Sequence, residues 1–326
     1  MKDKLLKLLM EADDYLSGEA LSQTLGVSRT AVWKAVNKLK EQGYAISSVR
    51  NKGYLIQEES SELIESAVKN HLPKGTLFHT VKVYESLDST NSEAKRLWQN
   101  GLKEPALILS REQTAGKGRR GRTWLSPKDD GVFMTMLLMP DIEPIHASML
   151  TLIAGLAVAQ AVKSLTSVEA MIKWPNDLVI NGKKTCGILT EMSAEMDYVH
   201  HVEVGIGINV NQVAFDQEIV DSATSIRANC GQIINRPRLI GAVVEAFEAL
   251  YSQFVIDRNL NFMLEAYNEQ CINVGKELKV LSRNDVTEGL GIGITEDGTL
   301  QIRLKDGTIT TVNAGEVSVR GLYGYI

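Results

Sequence analysis

The hydrophobic pattern changes character along the chain. In the first sixty residues it is helical. Leu5, Leu8 and Leu9 share one face, and Ala20, Leu21 and Leu25 mark a second short helix over 18–25. Gly26-Val27 turns the chain and Ser28 is placed to N-cap a third helix. On that helix Val32, Val36 and Leu39 fall at i, i+4 and i+7, and Gly43 stands at the C′ position. Residues 44–49 and 54–56 then flank a turn at Arg50-Asn51-Lys52-Gly53. Helices joined by a glycine turn and followed by a two-stranded wing predict a winged helix-turn-helix.

From there strands and helices mix. Residues 81–85 alternate like a strand, and a helix follows, with Thr90 and Glu93 spaced as a capping box. Residues 106–110 and 132–138 are continuous apolar runs, which suit buried strands. Residues 147–162 read as a buried core helix, with Ser148, Thr151 and Gln160 interrupting a run shorter than a bilayer span. Residues 171–180 read as an apolar strand carrying Lys173, and Asn181-Gly182 as a type I′ hairpin turn. Strands return over 183–192 and 198–204, the latter ending in Gly205-Ile206-Gly207-Ile208-Asn209-Val210-Asn211. Pro237 opens an amphipathic helix to about residue 257, and another spans about 261–271. After Gly275, short strands at 277–281, 286–294, 299–304 and 308–312 predict a small SH3-like barrel. The fold class is α+β and multidomain, with units at 1–62, 63–274 and 275–326.

Composition narrows the function. Apolar content of 44% and charge of 23% are ordinary for a globular chain. Net charge is −5, so nucleic-acid binding needs a local patch. Residues 28–52 hold Arg29, Lys34, Lys38, Lys40, Arg50 and Lys52 against the acid Glu41. The candidate DNA contacts are Ser28, Arg29, Thr30, Trp33, Lys34, Asn37, Lys38, Arg50 and Lys52; a protein-contact module or a solvated basic face is the alternative. Cys186, Cys230 and Cys271 are scattered without a C-x-x-C, so neither a disulfide framework nor a zinc site is indicated. Lys7 interrupts the first apolar run, so it makes a poor signal peptide. The expectation is a cytoplasmic protein with no membrane partner and no resident metal.

The candidate chemistry gathers in residues 113–124. There Gly116, Gly118 and Gly121 alternate with Lys117, Arg119, Arg120 and Arg122. Glycines permit close backbone approach, and cations packed so densely repel one another until an anion arrives. This predicts a loop that is loose when empty and ordered by a phosphate; a solvated linker is the plainer reading. The stretch imitates the dinucleotide fingerprint and the P-loop. Both require a helix to start at the last glycines, and Trp124-Leu125-Ser126-Pro127 is a poor helix start. Ser89, Thr90 and Asn91 close a strand at a helix start, offering either a polar pocket or simple caps. Lys173 in an apolar strand needs Asp177 or an anionic ligand, unless it snorkels to water. His200 and His201 point to opposite faces of a strand and make a poor metal pair. No G-x-S-x-G or H-E-x-x-H is present.

The loop 116–124, Lys173-Trp174-Pro175-Asn176-Asp177 and the segment 205–211 together resemble a biotin protein ligase. With the winged helix, the chain is similar to the bifunctional bacterial type, which is ligase and biotin-operon repressor in one. The related lipoate ligases use an Arg-Arg/Gly-Gly-Gly loop that is absent here. The resemblance implies a central domain related to class II aminoacyl-tRNA synthetases. It also implies that biotin and ATP, with Mg²⁺, give biotinoyl-AMP, and that a lysine of a biotin carboxyl carrier protein domain then takes the biotin. Ser89, Thr90, Asn91, Gln113, Lys117, Gly118, Arg119 and Lys173 match biotin-contacting positions. Lys173, with Arg119, matches the catalytic role. Trp124, Asn176, Asn209 and Arg227 match the adenylate side. The implied partners are operator DNA and a second copy, the homodimer forming on biotinoyl-AMP. Lys117 departs from the family loop, which has Arg there; a guanidinium contact would be weakened, a backbone contact would not. A catalytically silent, biotin-sensing repressor is the alternative function.

Overall fold

The computed structural model describes residues 2–10, 12, 14–41, 46–50, 52–56, 62–281, 286–314 and 318–321. The expected cap Gly43, the wing residue Asn51 and most of the polar run 57–62 lie outside them. The chain divides into two compact units, Met1–Glu62 and Leu63–Ile326.

The first unit contains α1 (Lys2–Met10), α2 (Gly18–Leu25), α3 (Arg29–Glu41) and the hairpin β1 (Ile46–Val49) and β2 (Gly53–Ile56). Ser17 caps α2 by accepting from the Ala20 N–H at 3.0 Å, and Gly26 ends it with φ 65°. Ser28 accepts from the Ala31 N–H at 3.2 Å at the start of α3. Leu5, Leu9, Leu21, Val32, Val36 and Leu39 are buried together as its core.

The second unit is built on a seven-stranded sheet of order β3-β4-β5-β9-β8-β7-β6. In chain order it begins with α4 (Glu65–His71), β3 (Thr80–Tyr84), α5 (Thr90–Gln99), β4 (Ala106–Ser110) and β5 (Gly131–Leu138). It continues with α6 (Met149–Leu165), β6 (Met171–Lys173), β7 (Asp177–Ile180), β8 (Lys183–Ala194) and β9 (Val199–Asn209). The helices α7 (Ile226–Cys230), α8 (Arg236–Asp257) and α9 (Leu264–Gln270) follow. β3 and β4 are parallel and the other pairs antiparallel. α6 and α8 pack on each other and against one face of this sheet; α5 packs on the other.

The helical run through α6, like α8, is long and apolar enough to cross a bilayer by length and composition. The run expected over 147–162 is shorter than a bilayer span; the helical run that forms is Pro144–Leu165, 22 residues. Its apolar window is 72% buried, and it is apolar on every side because it lies between sheet and helices.

The expected strand over 171–180 is in fact a tight antiparallel pair. Pro175, preceded by a cis peptide bond, turns the chain between β6 and β7, and Lys173 faces Asp177 in register. Asn181 (φ 50°) and Gly182 (φ 78°) form the I′ turn expected between β7 and β8.

The C-terminal strands β10 (Glu277–Leu281), β11 (Val286–Ile294), β12 (Leu300–Arg303), β13 (Ile309–Val312) and β14 (Ser318–Gly321) form a five-stranded antiparallel sheet of order β13-β12-β11-β10-β14. The number agrees with the five or so short strands that the pattern predicts, and only β14 has no predicted range. This small sheet is tied to the turn after Lys173: the Trp174 indole N–H donates to the Gly298 carbonyl at 3.0 Å. The Trp174 backbone N–H donates to Asn273 Oδ1 at 2.7 Å.

Candidate functional site

The floor of the site is bare backbone on two neighbouring strands, β8 and β9. Gly187 on β8 lies opposite Gly207 on β9, and Gly205 lies between Leu189 on β8 and Thr135 on β5. Added Cβ atoms would stand 2.5 Å from Trp124 Nε1 at Gly207 and 2.2 Å from Asn91 Oδ1 at Gly205. These glycines therefore let Trp124 and Asn91 lie directly on the backbone.

The α5 N-terminus supplies the polar wall. Ser89, Thr90 and Asn91 are all buried. The expected capping box does not form. Ser89 is the N-cap residue and makes no side-chain cap. Thr90 turns instead to Gln113: its N–H donates to Gln113 Oε1 at 2.9 Å and its hydroxyl lies 3.2 Å from the same oxygen. Glu93 accepts from the Tyr84 hydroxyl at 3.0 Å and from Arg96 Nε at 2.7 Å. Asn91 Nδ2 donates to the Leu189 carbonyl at 3.2 Å and to Glu191 Oε2 at 2.8 Å. Thr135 Oγ1 lies 2.7 Å from Asn91 Oδ1 and 2.8 Å from Thr90 Oγ1. The side chains of Thr90, Asn91, Gln113 and Thr135 thus hold one another in place, which orients this part of the wall before any ligand is considered.

The expected loose loop is a hairpin. Backbone N–H groups of Gln113, Gly118 and Trp124 donate to the carbonyls of Ser126, Arg122 and Gly116 at 3.2, 2.7 and 2.9 Å. The tip is a single 3₁₀ turn over Arg119–Gly121, with Arg120 at φ 59° and Gly121 at φ 72°. No α-helix starts there, so neither phosphate motif is present. Cross-loop pairing supplies the order that charge repulsion was expected to deny. Arg119 leaves the hairpin and donates to Asn176 Oδ1 at 2.9 Å and to the Ala314 carbonyl, which joins the loop to the C-terminal sheet. Burial pulls the Arg119 guanidinium below its ordinary pKa, with Asp177 offsetting part of the effect.

Two cavities meet at this hairpin. One, of about 470 Å³, is lined by Ser89, Thr90, Asn91, Gln113, Lys117 and the glycine floor. The other, of about 820 Å³, is lined by Arg120, Arg122, Lys173 and Asp177. Gly118, Arg119, Trp124, Asn176 and Lys184 border both. A further cavity of about 700 Å³ opens beyond Trp124, with Asn209, Lys184, Leu125 and Ala223 on its walls. Among the sequence-predicted residues, Arg227 stands apart. Its backbone N–H bonds the Val210 carbonyl at 2.9 Å, and it lines none of these cavities.

Lys184, which no motif or spacing in the sequence marks, stands at the centre of the site. Its Nζ lies 2.7 Å from Asp177 Oδ1 and 5.3 Å from the centre of the Trp124 ring. Simple alternation puts Lys184 on the face opposite Gly187. The register shifts between Leu178 and Val179, whose partners are Cys186 and Lys184, so Thr185 is an extra residue and the bulge brings Lys184 to the site. Lys173, at 6% exposure, borders the larger cavity and not the glycine-floored one.

In the first unit Ser28, Arg29, Thr30, Lys34, Lys38, Arg50 and Lys52 are exposed, Asn37 is half-buried and Trp33 is 54% exposed. The cations of α3 and the wing thus stand in solvent while the Val32–Val36–Leu39 face is buried. Lys40 Nζ donates to Ser48 Oγ at 2.8 Å, linking α3 to the wing.

Residues 83–209 match the family described as biotin/lipoate A/B protein ligases, residues 2–55 an HTH domain, and residues 274–320 the biotin protein ligase C-terminal domain. The chain is 36% identical over 312 residues to the Bacillus subtilis protein named bifunctional ligase/repressor BirA, covering 94% of this chain and 95% of that one. It is 28% identical to the protein of the same name from Escherichia coli, covering 98% and 99%. The solved structure of a biotin protein ligase from Aquifex aeolicus in complex with biotin and ATP matches with a TM-score of 0.66 at 29% identity, covering 75% of this chain and 100% of that one.

Proposed function

The chain belongs to the family of bifunctional biotin protein ligases and repressors, and we propose that its two adjoining cavities carry out ATP-dependent biotinylation. Biotin occupies the glycine-floored cavity and ATP the larger one. The observation that carries this reading is the shared border: Lys184 and Arg119 stand where a carboxylate from one cavity would meet a phosphate from the other.

A biotin carboxylate oxygen attacks the α-phosphorus, the bond to the pyrophosphate oxygen breaks, and biotinoyl-AMP forms. Charge develops on phosphoryl oxygens, and fixed cations stabilise it without a covalent intermediate on the protein. Lys184 and Arg119 serve the reacting oxygens; Lys173, Arg120 and Arg122 serve the phosphate side. Trp124 covers the adenylate, and Asn209 lies toward the adenosine. Mg²⁺ would arrive on the ATP phosphates and neutralise their charge. Asp177 and Asn176 fit an ion held largely by phosphate oxygens and water.

In the second step a carrier-domain lysine attacks the mixed anhydride, the C–N bond forms and AMP leaves. A groove of about 1020 Å³ bordered by Ile145, Met192, Arg119 and Leu189 offers its approach. The hairpin keeps the anhydride from water until then. In the first unit, α3 enters a major groove and the wing meets the backbone. Biotinoyl-AMP favours a homodimer that presents two such units to an operator. β8 outruns β7 after Gly187, leaving an unpaired edge among the described residues where a second copy could add. Transfer of biotin to a purified carrier domain, read as a mass increase on one lysine, tests the ligase. An unmodified carrier in the presence of biotin and Mg-ATP would reject it.

A further inference from the structure

Along the face of β9 that carries Gly205 and Gly207, the next residues are Glu203 and His201, and both are buried. Glu203 lies directly opposite Glu191 of β8. Its partner on the other side, Leu137 of β5, is apolar and offers no compensation. His201 Nε2 lies 3.0 Å from Glu203 Oε1, and the Trp98 ring of α5 covers the imidazole at 4.3 Å between centres. Glu191 is exposed, and its Oε2 accepts from the Asn91 amide in the cavity wall at 2.8 Å. The remaining charges around the pair are Lys95 of α5, Lys117 of the hairpin, and Lys103 and His200 on the His201 side.

Two carboxylates facing each other across antiparallel strands repel when both are ionised. Here one is fixed in the interior and the other is free to swing into water. Resting on the ligase reading above, we propose that Glu203 is a positioning residue for biotin: neutral, it leaves Glu191 on the Asn91 amide; ionised, it drives Glu191 away and puts a negative charge behind the cavity. Biotin is itself an anion through its carboxylate. Its binding therefore favours the neutral carboxyl, and Glu203 takes up a proton as biotin enters. Burial, reinforced by Glu191, pushes the Glu203 carboxyl up to about 7, while burial and Lys103 hold His201 at about 4. The exchange thus falls near neutral pH and belongs to the glutamate.

Titration calorimetry of the full chain with biotin, from pH 6 to 8.5 and in two buffers of different ionisation enthalpy, tests this. The dissociation constant should rise roughly three- to tenfold across the range, with proton uptake in its middle. Glu203→Gln should hold the low-pH affinity throughout and abolish the uptake. Glu191→Gln removes the like charge, so its break should move to lower pH. That shift and the wild-type uptake remain readable if Glu203→Gln fails to fold. A pH-independent affinity, or uptake that persists in Glu203→Gln, would overturn this role alone. Absence of biotin binding by the folded wild type at every pH would overturn the ligase reading with it.

Discussion

Gly205 lies directly beneath Asn91: a Cβ at residue 205 would stand 2.2 Å from Asn91 Oδ1 and 2.9 Å from its Cγ. Asn91 is held by the Leu189 carbonyl, Glu191 and Thr135, so it has no free direction in which to yield. Gly205→Ala should disrupt at least one of these bonds, at about 1–3 kcal/mol. Biotin affinity should fall by roughly tenfold or more, measured by calorimetry, while the circular dichroism spectrum is kept. Unchanged affinity would mean that Asn91 does not shape the biotin cavity.

The two lysines should separate kinetically. Lys184 borders both cavities and Lys173 the larger one only. Lys184→Ala should weaken biotin binding and lower the rate of adenylate formation by roughly 10²-fold or more. Lys173→Ala should spare biotin binding and act on the ATP-dependent step. Stopped-flow measurement of each step distinguishes them, and a Lys173→Ala enzyme with normal turnover would remove Lys173 from the chemistry.

Arg119 ties the hairpin to Asn176 and to the Ala314 carbonyl. Arg119→Gly cuts both links and opens the lid. Biotinoyl-AMP should then escape and label bystander lysines, visible as biotin on an added unrelated protein. Tighter retention of the intermediate would contradict the assignment.

On the DNA side, Arg50 and Lys52 stand exposed on the wing. Replacing both with Ala should weaken operator binding across sequences and reduce the slope of log K against log salt by roughly 2. Deleting residues 1–62 should abolish operator binding and spare most ligation. An unchanged salt slope would place the wing away from the phosphates.

Glu203 should also register in stability. Its folded pKa, about 7, lies above its ordinary value of 4.5. The folded state therefore holds the proton more tightly than the unfolded one. That contribution is full below about 4.5 and is lost as pH rises through 7. Glu203→Gln should match the wild type in acid and exceed it above pH 7 by on the order of 2 kcal/mol in urea denaturation. Equal stability of the two proteins at pH 8 would show that no buried charge forms there.

Much of this was legible in the sequence because local rules and tertiary packing agree. The i, i+4, i+7 spacing of Val32, Val36 and Leu39 gave the buried face of α3, and Asn181-Gly182 gave the turn before β8. The glycines of 205–211 announced a close approach, since nothing else explains bare positions in a buried strand. Lys184 was hidden because a bulge at Thr185 reverses its face, and bulges leave little trace in alternation. Glu191 carried no signal, being a charged residue on an exposed strand end. Thr90 and Glu93 misled because a capping box and a ligand wall use the same side chains. Residues 171–180 misled because Pro175 folds a continuous apolar run back on itself.

The exchange of labelled pyrophosphate into ATP by the full chain, with biotin and with lipoate in parallel, tests the adenylation chemistry directly. Exchange that requires biotin and is not supported by lipoate is the expected result. Folded protein that binds biotin but catalyses no exchange would instead be a silent sensor, and the meeting of the two cavities at Lys184 and Arg119 would have no chemical role.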